Sequence, residues 1–440
     1  MDDGGRLGNL RPSGVVLRFL SILFLGSSLL PAQEAGLKRY SIADFGAVAD
    51  AKAPNTTAIQ KAIDQANSGG GGIVKIPKGT FRSGSIFLKK GVELYLDEGA
   101  VLLGSDQIED YPKRETRIEG RFVQWRMALV NAQEMDHVRI TGKGRIDGNG
   151  STFWKQFWQR RKENRKCTNL EVERPRLMFI DRCKDVHVAG LEFKDSGFWN
   201  LHLYRCQDVV IEGLNIHAPT TGKLRGPSTD GIDVDSSQRV TIRQCVISVN
   251  DDNIALKGSK GPTADQDKDS PPVEDILVED CEFGDGNGMV TCGSEATFIH
   301  NVTVRNCRIT GDATLLTLKL RPDTPQHYEN ILIDGIKLSG GRGRILHVSP
   351  WMQFFDLNGH EPPARTVNQV TIRNVSGRFL SLGTLFGNPG DILQDIKLEN
   401  FDIRLTDDAF ELGTVENLEL KNVLVNGNVY HPPAPASASR

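Results

Sequence analysis

From Val186 onward one short pattern recurs along the chain: apolar, any, apolar, any, any, apolar, any, apolar. Val186-His187-Val188-Ala189-Gly190-Leu191, Val209-Val210-Ile211-Glu212-Gly213-Leu214 and Val240-Thr241-Ile242-Arg243-Gln244-Cys245 are three instances, and the pattern returns at Ile276, Val302, Ile331, Val370, Ile396 and Leu418. Successive starts lie 23, 31, 36, 26, 29, 39, 26 and 22 residues apart. The short intervals define a coil of about 22 residues, and the longer ones are the same coil carrying a loop. Alternation at period two makes strands with one buried face. Strands this short cannot bury that face alone, but stacked with Gly, Asn and Asp between them they form an all-β solenoid, a parallel β-helix. Gly72-Ile73-Val74-Lys75-Ile76 and Val92-Glu93-Leu94-Tyr95-Leu96 read as irregular first coils.

Stacking sets equivalent positions one above another at the inter-strand spacing of about 4.8 Å. One inward position then reads Leu191, Leu214, Cys245, Cys281, Cys307, Ile336, Val375, Phe401, Val423. Three cysteines fall in this apolar ladder, so they are expected to be free thiols packing as small hydrophobes. The total of seven is odd, and no Cys-x-x-Cys or His-rich spacing suggests zinc; no metal and no cofactor is expected. A solenoid must cover its open end. Ile59, Ala62, Ile63 and Ala66 make an apolar stripe on a helix over Thr56–Asn67, with Asn55 as N-cap and Gly69–Gly72 as its exit. This helix is expected to cap the N-terminal end.

The chain starts with Arg6, Arg11 and Arg18, an apolar run from Phe19 to Leu30, then Pro31-Ala32-Gln33-Glu34-Ala35. A basic segment, a short apolar segment and small residues make a secretory signal peptide, assigned to residues 1–33. The run is too short for a comfortable membrane span, so no membrane association is expected after cleavage. The solenoid domain is assigned to residues 34–430, and residues 431–440 form a Pro/Ala/Ser tail expected to be unstructured. A net charge of −3 and a pI near 6.3 supply no basic field for nucleic acid. The protein is expected to be a monomer, secreted or periplasmic.

Two acidic motifs lie one coil apart, Ser228-Thr229-Asp230-Gly231-Ile232-Asp233 and Asn250-Asp251-Asp252-Asn253-Ile254-Ala255-Leu256-Lys257. Asp230 precedes the strand start at Val240 by 10 residues, and Asp252 precedes Ile276 by 24 in a coil that carries about 14 extra. Corrected for that loop, both stand at the same offset and stack on adjacent coils, with Asp251 beside them. Asn287, in Gly286-Asn287-Gly288, follows one coil further, then Lys319 and Arg321 on the next. Each acid alone is good turn chemistry. Stacked carboxylates repel, however, so a cluster points to function: a general acid and a general base flanking a sugar bond.

These residues also carry a resemblance to glycoside hydrolase family 28, the polygalacturonases and their relatives. The family motifs Asn-Thr-Asp, Asp-Asp, Gly-His-Gly and Arg-Ile-Lys correspond to Ser228-Thr229-Asp230, Asp251-Asp252, Gly286-Asn287-Gly288 and Thr317-Leu318-Lys319. Asp44-Phe45-Gly46-Ala47, Gly99 through Ser105, Gly197 through His202 and Gly293-Ser294-Glu295 look like that family too, from about Tyr40 to Asp408. The resemblance implies a single-stranded right-handed parallel β-helix, a pectin-lyase-like solenoid, and an inverting hydrolase of polysaccharide or oligosaccharide. It implies Asp251 as general acid, with Asp230 and Asp252 activating water. Inverting acid and base usually stand about 6.5–9.5 Å apart, and repulsion within the cluster is expected to keep Asp251 protonated. Ser228, Asn287 and Thr317 replace the family's Asn, His and Arg. Either Arg321, on the same strand face as Lys319, replaces the lost cation, or the neighbouring sugar is neutral or differently linked.

Ser228, Asn287, Lys319, Arg321 and Trp199 are therefore the expected substrate-binding residues. Trp154, Phe157 and Trp158, followed by Arg160, Arg161, Lys162, Arg165 and Lys166, read as a long loop that is either simply solvated or stacks on sugars. The segment Gly258–Pro272 is expected to border the cleft. His202 and His217 read as structural. Two other classes remain open: a polysaccharide lyase using Ca²⁺ on the same scaffold, and a non-catalytic carbohydrate-binding β-helix.

Overall fold

The repeat maps onto the sheet register residue for residue. In the computed structural model, Val186, Val209, Val240, Ile276, Val302, Ile331, Val370, Ile396 and Leu418 are successive parallel partners, one per coil. Residues 37–222 and 224–432 are described; the expected signal peptide and all but two residues of the expected tail lie outside them. The first two irregular coils are present as expected, with Gly72–Ile76 paired in parallel to Val92–Leu96. The fold is a parallel β-helix.

Each coil turns sharply between its two repeat strands, and there the backbone is left-handed. Gly190, Gly213, Gln244, Asp280, Asn306, Gly335, Asn374, Asn400 and Asn422 all have positive φ. Glycine adopts this conformation without strain, and Asn or Asp tolerate it best among the others, which explains the composition of the turns. Asn422 donates to Asn400 at 3.0 Å and Asn400 to Asn374 at 3.3 Å, so stacked turns also bond along the solenoid. Inside, the expected ladder holds: Cys307, Ile336, Val375, Phe401 and Val423 are register partners and all are buried. All seven cysteines are buried and free.

A second wall of eleven parallel strands carries the site. We number them β1 (Ile86–Phe87), β2 (Val130–Gln133), β3 (Met178–Asp181), β4 (Leu201–Tyr204), β5 (Ile232–Asp235) and β6 (Ile254–Lys257). The rest are β7 (Gly288–Cys292), β8 (Thr314–Leu320), β9 (Arg344–Pro350), β10 (Ser381–Leu385) and β11 (Phe410–Leu412).

Helix α1 (Thr56–Ser68) forms where expected, with Ile59, Ala62, Ile63 and Ala66 buried in the main core. Asn55 makes no side-chain capping bond to it; its amide instead donates to the carbonyls of Val48 and Ala53. The segment read as a loop is a helix, α2 (Ser151–Glu163). Phe153, Trp154 and Phe157 sit at helical spacing and are buried, and Trp154 Nε1 donates to the Ser196 carbonyl at 3.0 Å. Trp154 and Phe157 are therefore packing residues and not sugar platforms. Among the described residues no helix is long and apolar enough to cross a membrane.

Candidate active site

Asp230 immediately precedes the Gly231 that leads into β5, Asp251 and Asp252 precede β6, Asn287 precedes β7, and Lys319 lies in β8. Adjacent-coil stacking brings one oxygen of each of Asp230, Asp251 and Asp252 within 4.8 Å of the others. Asp252 is pinned from two sides: Lys319 Nζ lies 2.6 Å from one oxygen, and Thr291 Oγ1 donates to the other at 2.8 Å. Asn287 Nδ2 donates to Asp251 Oδ1 at 2.9 Å, one coil along as the repeat predicts. Asp230 and Asp252 are buried, while Asp251 and Asn287 keep surface open to solvent.

The spacing corrects one expectation. The nearest oxygens of the three carboxylates lie within 4.8 Å of one another, closer than the ~6.5–9.5 Å expected between carboxyl groups, because equivalent positions on neighbouring coils of a β-helix are separated by about one strand spacing. Burial, the largest cause, and then the charges of Asp230 and Asp252 raise the Asp251 pKa to about 8. Desolvation thus outweighs the repulsion anticipated from sequence. Asp230 is also raised well above the usual carboxylate range by burial and by Asp233, against the opposing pull of Lys257.

Three residues that sequence reasoning left out complete the cluster. Lys257 Nζ lies 3.3 Å from Asp230 and 3.4 Å from Asp233, and Thr291 holds Asp252. Asp233 is pushed up to about 7 by burial, against Lys257. The alternation of Ile254-Ala255-Leu256-Lys257 held the signal: with Ile254 and Leu256 in the core, Lys257 must face outward with the acids.

Several expected substrate contacts have other partners. Arg321 is buried and forks onto both oxygens of Asp323 at 2.8 Å while donating to the carbonyls of Gln353 and Phe354. Every contact it makes is internal, so it does not replace the missing cation. Arg321→Lys, which cannot reproduce the planar fork, is expected to lower stability by about 1–3 kcal/mol with KM unchanged, read by denaturant melts beside initial rates. Trp199 is buried as well, stacked on Phe198 at 5.0 Å with Lys257 Nζ 4.9 Å from its ring centroid. It forms part of the cluster's floor and is not a sugar platform. Ser228 is buried with its hydroxyl 3.4 Å from Arg174, and Thr317 is buried with its hydroxyl unpartnered. His202 is structural, its Nδ1 2.7 Å from an Arg176 nitrogen, and burial pulls its pKa down to about 4. Trp351 covers Lys319, whose Nζ lies 4.7 Å from the ring centroid.

Fold and site together define a β-helix whose outer wall carries a cluster of three carboxylates beside two lysines. Residues 74–381 match the family described as Glycosyl hydrolases family 28, and the chain belongs to that family. It is similar to a probable polygalacturonase of Vitis vinifera, 31% identical over 230 residues, which are 49% of this chain and 44% of that protein. An endo-polygalacturonase of Pectobacterium carotovorum subsp. carotovorum is 29% identical over 275 residues, 60% of this chain and 64% of its own. The chain thus spans less than two thirds of the length of either relative. A hyperthermoactive exopolygalacturonase from Thermotoga maritima shares the fold, with a TM-score of 0.74 at 23% identity over 89% of this chain and 92% of that one.

Proposed function

We propose that the protein is an exported, polygalacturonase-like hydrolase that cleaves glycosidic bonds of pectic or related acidic polysaccharide. The observation that carries this reading is the three-carboxylate cluster with unequal surroundings, two of its members buried and one open to solvent. Asp251, open to the cleft and raised to about 8, holds a proton at neutral pH and is placed to protonate the leaving oxygen. Asp252, fixed by Lys319 and Thr291, presents the oxygen that takes a proton from water, and Asp230, beside Lys257, helps to hold that water in place. Lys319 and Lys257 supply positive charge directly on the acids, which favours hydrolysis over a lyase that fills such a cluster with Ca²⁺. Asn287, donating to Asp251, orients the acid.

The test is a reducing-end assay over a panel of pectic polysaccharides, read in parallel at the ultraviolet absorbance of unsaturated lyase products. New reducing ends without that absorbance are expected. Calcium-dependent absorbance would replace this reading with the lyase. Because the carboxylates stand closer than in most inverting enzymes, the anomer formed first should be read by NMR on an active oligosaccharide. Inversion is expected; retention would instead make one of the aspartates a nucleophile.

A further inference from the structure

We propose that the acids stand at the blind end of a cleft, so that the protein removes short units from a chain terminus and does not cut within the chain. This rests on the glycosidase reading above. The site wall has two unlike halves. On β3, β4 and β5, outward side chains lie under protein: Phe179, His202, Tyr204, Asp233 and Asp235 are each at most 1% exposed. Three segments roof them. The first is an antiparallel hairpin of Lys113–Ile118 and Arg121–Arg126; the others are the stretch around Asn169–Arg174 and the loop after β6.

The roof is locked to the wall and to itself. Arg117 reaches from the hairpin to Asp235 at 3.0 Å, with both side chains buried. Phe122 meets Tyr204 edge-on, ring centroids 5.7 Å apart, and Tyr204 donates its hydroxyl to the Asp269 carbonyl at 2.6 Å. Trp125 packs with Phe198 and Trp199 and donates to the Arg174 carbonyl at 3.0 Å. Glu119 ties the three segments together, accepting from Asn169 at 3.1 Å and lying 3.5 Å from Lys260. A polysaccharide crossing this half would have to part a buried ion pair and an aromatic cluster, and leaving a buried charge unpaired is strongly unfavourable.

On the other side of the acids the wall opens. Thr317 and Lys319 on β8 and Thr384 on β10 are buried but keep 4–9% of their surface, His347 and Ser349 on β9 are half-buried, and Arg344 and Glu411 are exposed. The Arg344 side chain makes no hydrogen bond or ion pair among the described residues. By register it shares a row with Asp252: β6 meets β7 with Ile254 opposite Val290, Gly288 pairs with Thr314, and Leu316 pairs with Leu346. Three coils at about 4.8 Å place it roughly 14 Å down the open arm, where an uncommitted guanidinium suits the carboxylate of a more distant acidic sugar. The chain end therefore meets the roof while the body of the polymer lies over β7 to β11.

The experiment follows specific viscosity and reducing ends together on a high-molecular-weight pectic polymer that the panel shows to be cut, with products sized from the first time point. The expected result is one short product throughout, and a viscosity that falls only in step with the bonds broken. A steep early loss of viscosity with a ladder of oligosaccharides overturns the blind cleft while leaving the glycosidase reading intact. An oligosaccharide chemically blocked at both termini is expected to resist, and its cleavage likewise overturns the proposal. Failure to cut any glycan overturns the glycosidase reading, and this inference with it.

Discussion

Asp251→Asn is expected to lower kcat by about 10²–10⁴-fold while making the folded protein more stable at alkaline pH. The activity loss follows from the proton that Asp251 holds. With a pKa near 8 in the fold, the wild type should also lose kcat/KM as pH rises through that value, because the leaving oxygen then has no acid beside it. The stability effect has a definite sign. A carboxyl whose folded pKa is raised contributes stability that is fully present below its ordinary value near 3.8 and is lost as pH rises through about 8. Removing the ionisable group removes that loss. The variant should therefore match wild type in denaturant melts near pH 4 and exceed it by at least ~1 kcal/mol near pH 9. An Asn variant no more stable than wild type at pH 9 would show that Asp251 is not the proton-holding member of the cluster, whatever its activity.

The second large effect is expected at Lys257, the buried cation between Asp230 and Asp233. Lys257→Met keeps the volume and packing against Trp199 but leaves two buried acids without their counter-charge. Removing one partner of a buried pair typically costs about 3–5 kcal/mol. Here the cost depends on pH, because both acids already have raised pKa values, Asp233 to about 7. At pH 5 they can take up protons and relieve the strain; at pH 8 they cannot without further cost. The variant should therefore be near wild-type stability at pH 5 and fall by the full amount at pH 8, with Asp233→Asn added as a second change restoring part of it. An equal loss at both pH values would mean that Lys257 serves the fold through its hydrocarbon stem and not its charge.

The solenoid was legible because a β-helix writes its register into the sequence once per coil. The nine repeat starts from Val186 to Leu418 are register partners, and the offset argument that stacked Asp230 on Asp252 is the same arithmetic. Asn287 and Lys319 fell where that arithmetic put them. Arg321 did not, because spacing places a side chain on a face but says nothing of its nearest counter-charge; Asp323, two residues on, claims the guanidinium. Trp199 failed for a related reason. Whether an outward residue is exposed depends on what lies over it, and the hairpin of residues 113–126 comes from two coils earlier in the wall, beyond the reach of any local pattern. Helix α2 was hidden by its charged second half, although Phe153, Trp154 and Phe157 already had helical spacing.

The left-handed turns that close each coil have a wider consequence. Because every coil is completed at the same kind of corner, insertions elsewhere in it leave the vertical pitch unchanged: the 36-residue interval and the 22-residue interval advance the wall by one strand alike. Distances along the cleft are therefore quantised. Lengthening a loop can raise or lower the cleft's rim, but moving a recognition group relative to the acids requires gaining or losing a whole coil. Divergence among proteins built this way should thus proceed by two separate dials, one continuous and one stepped.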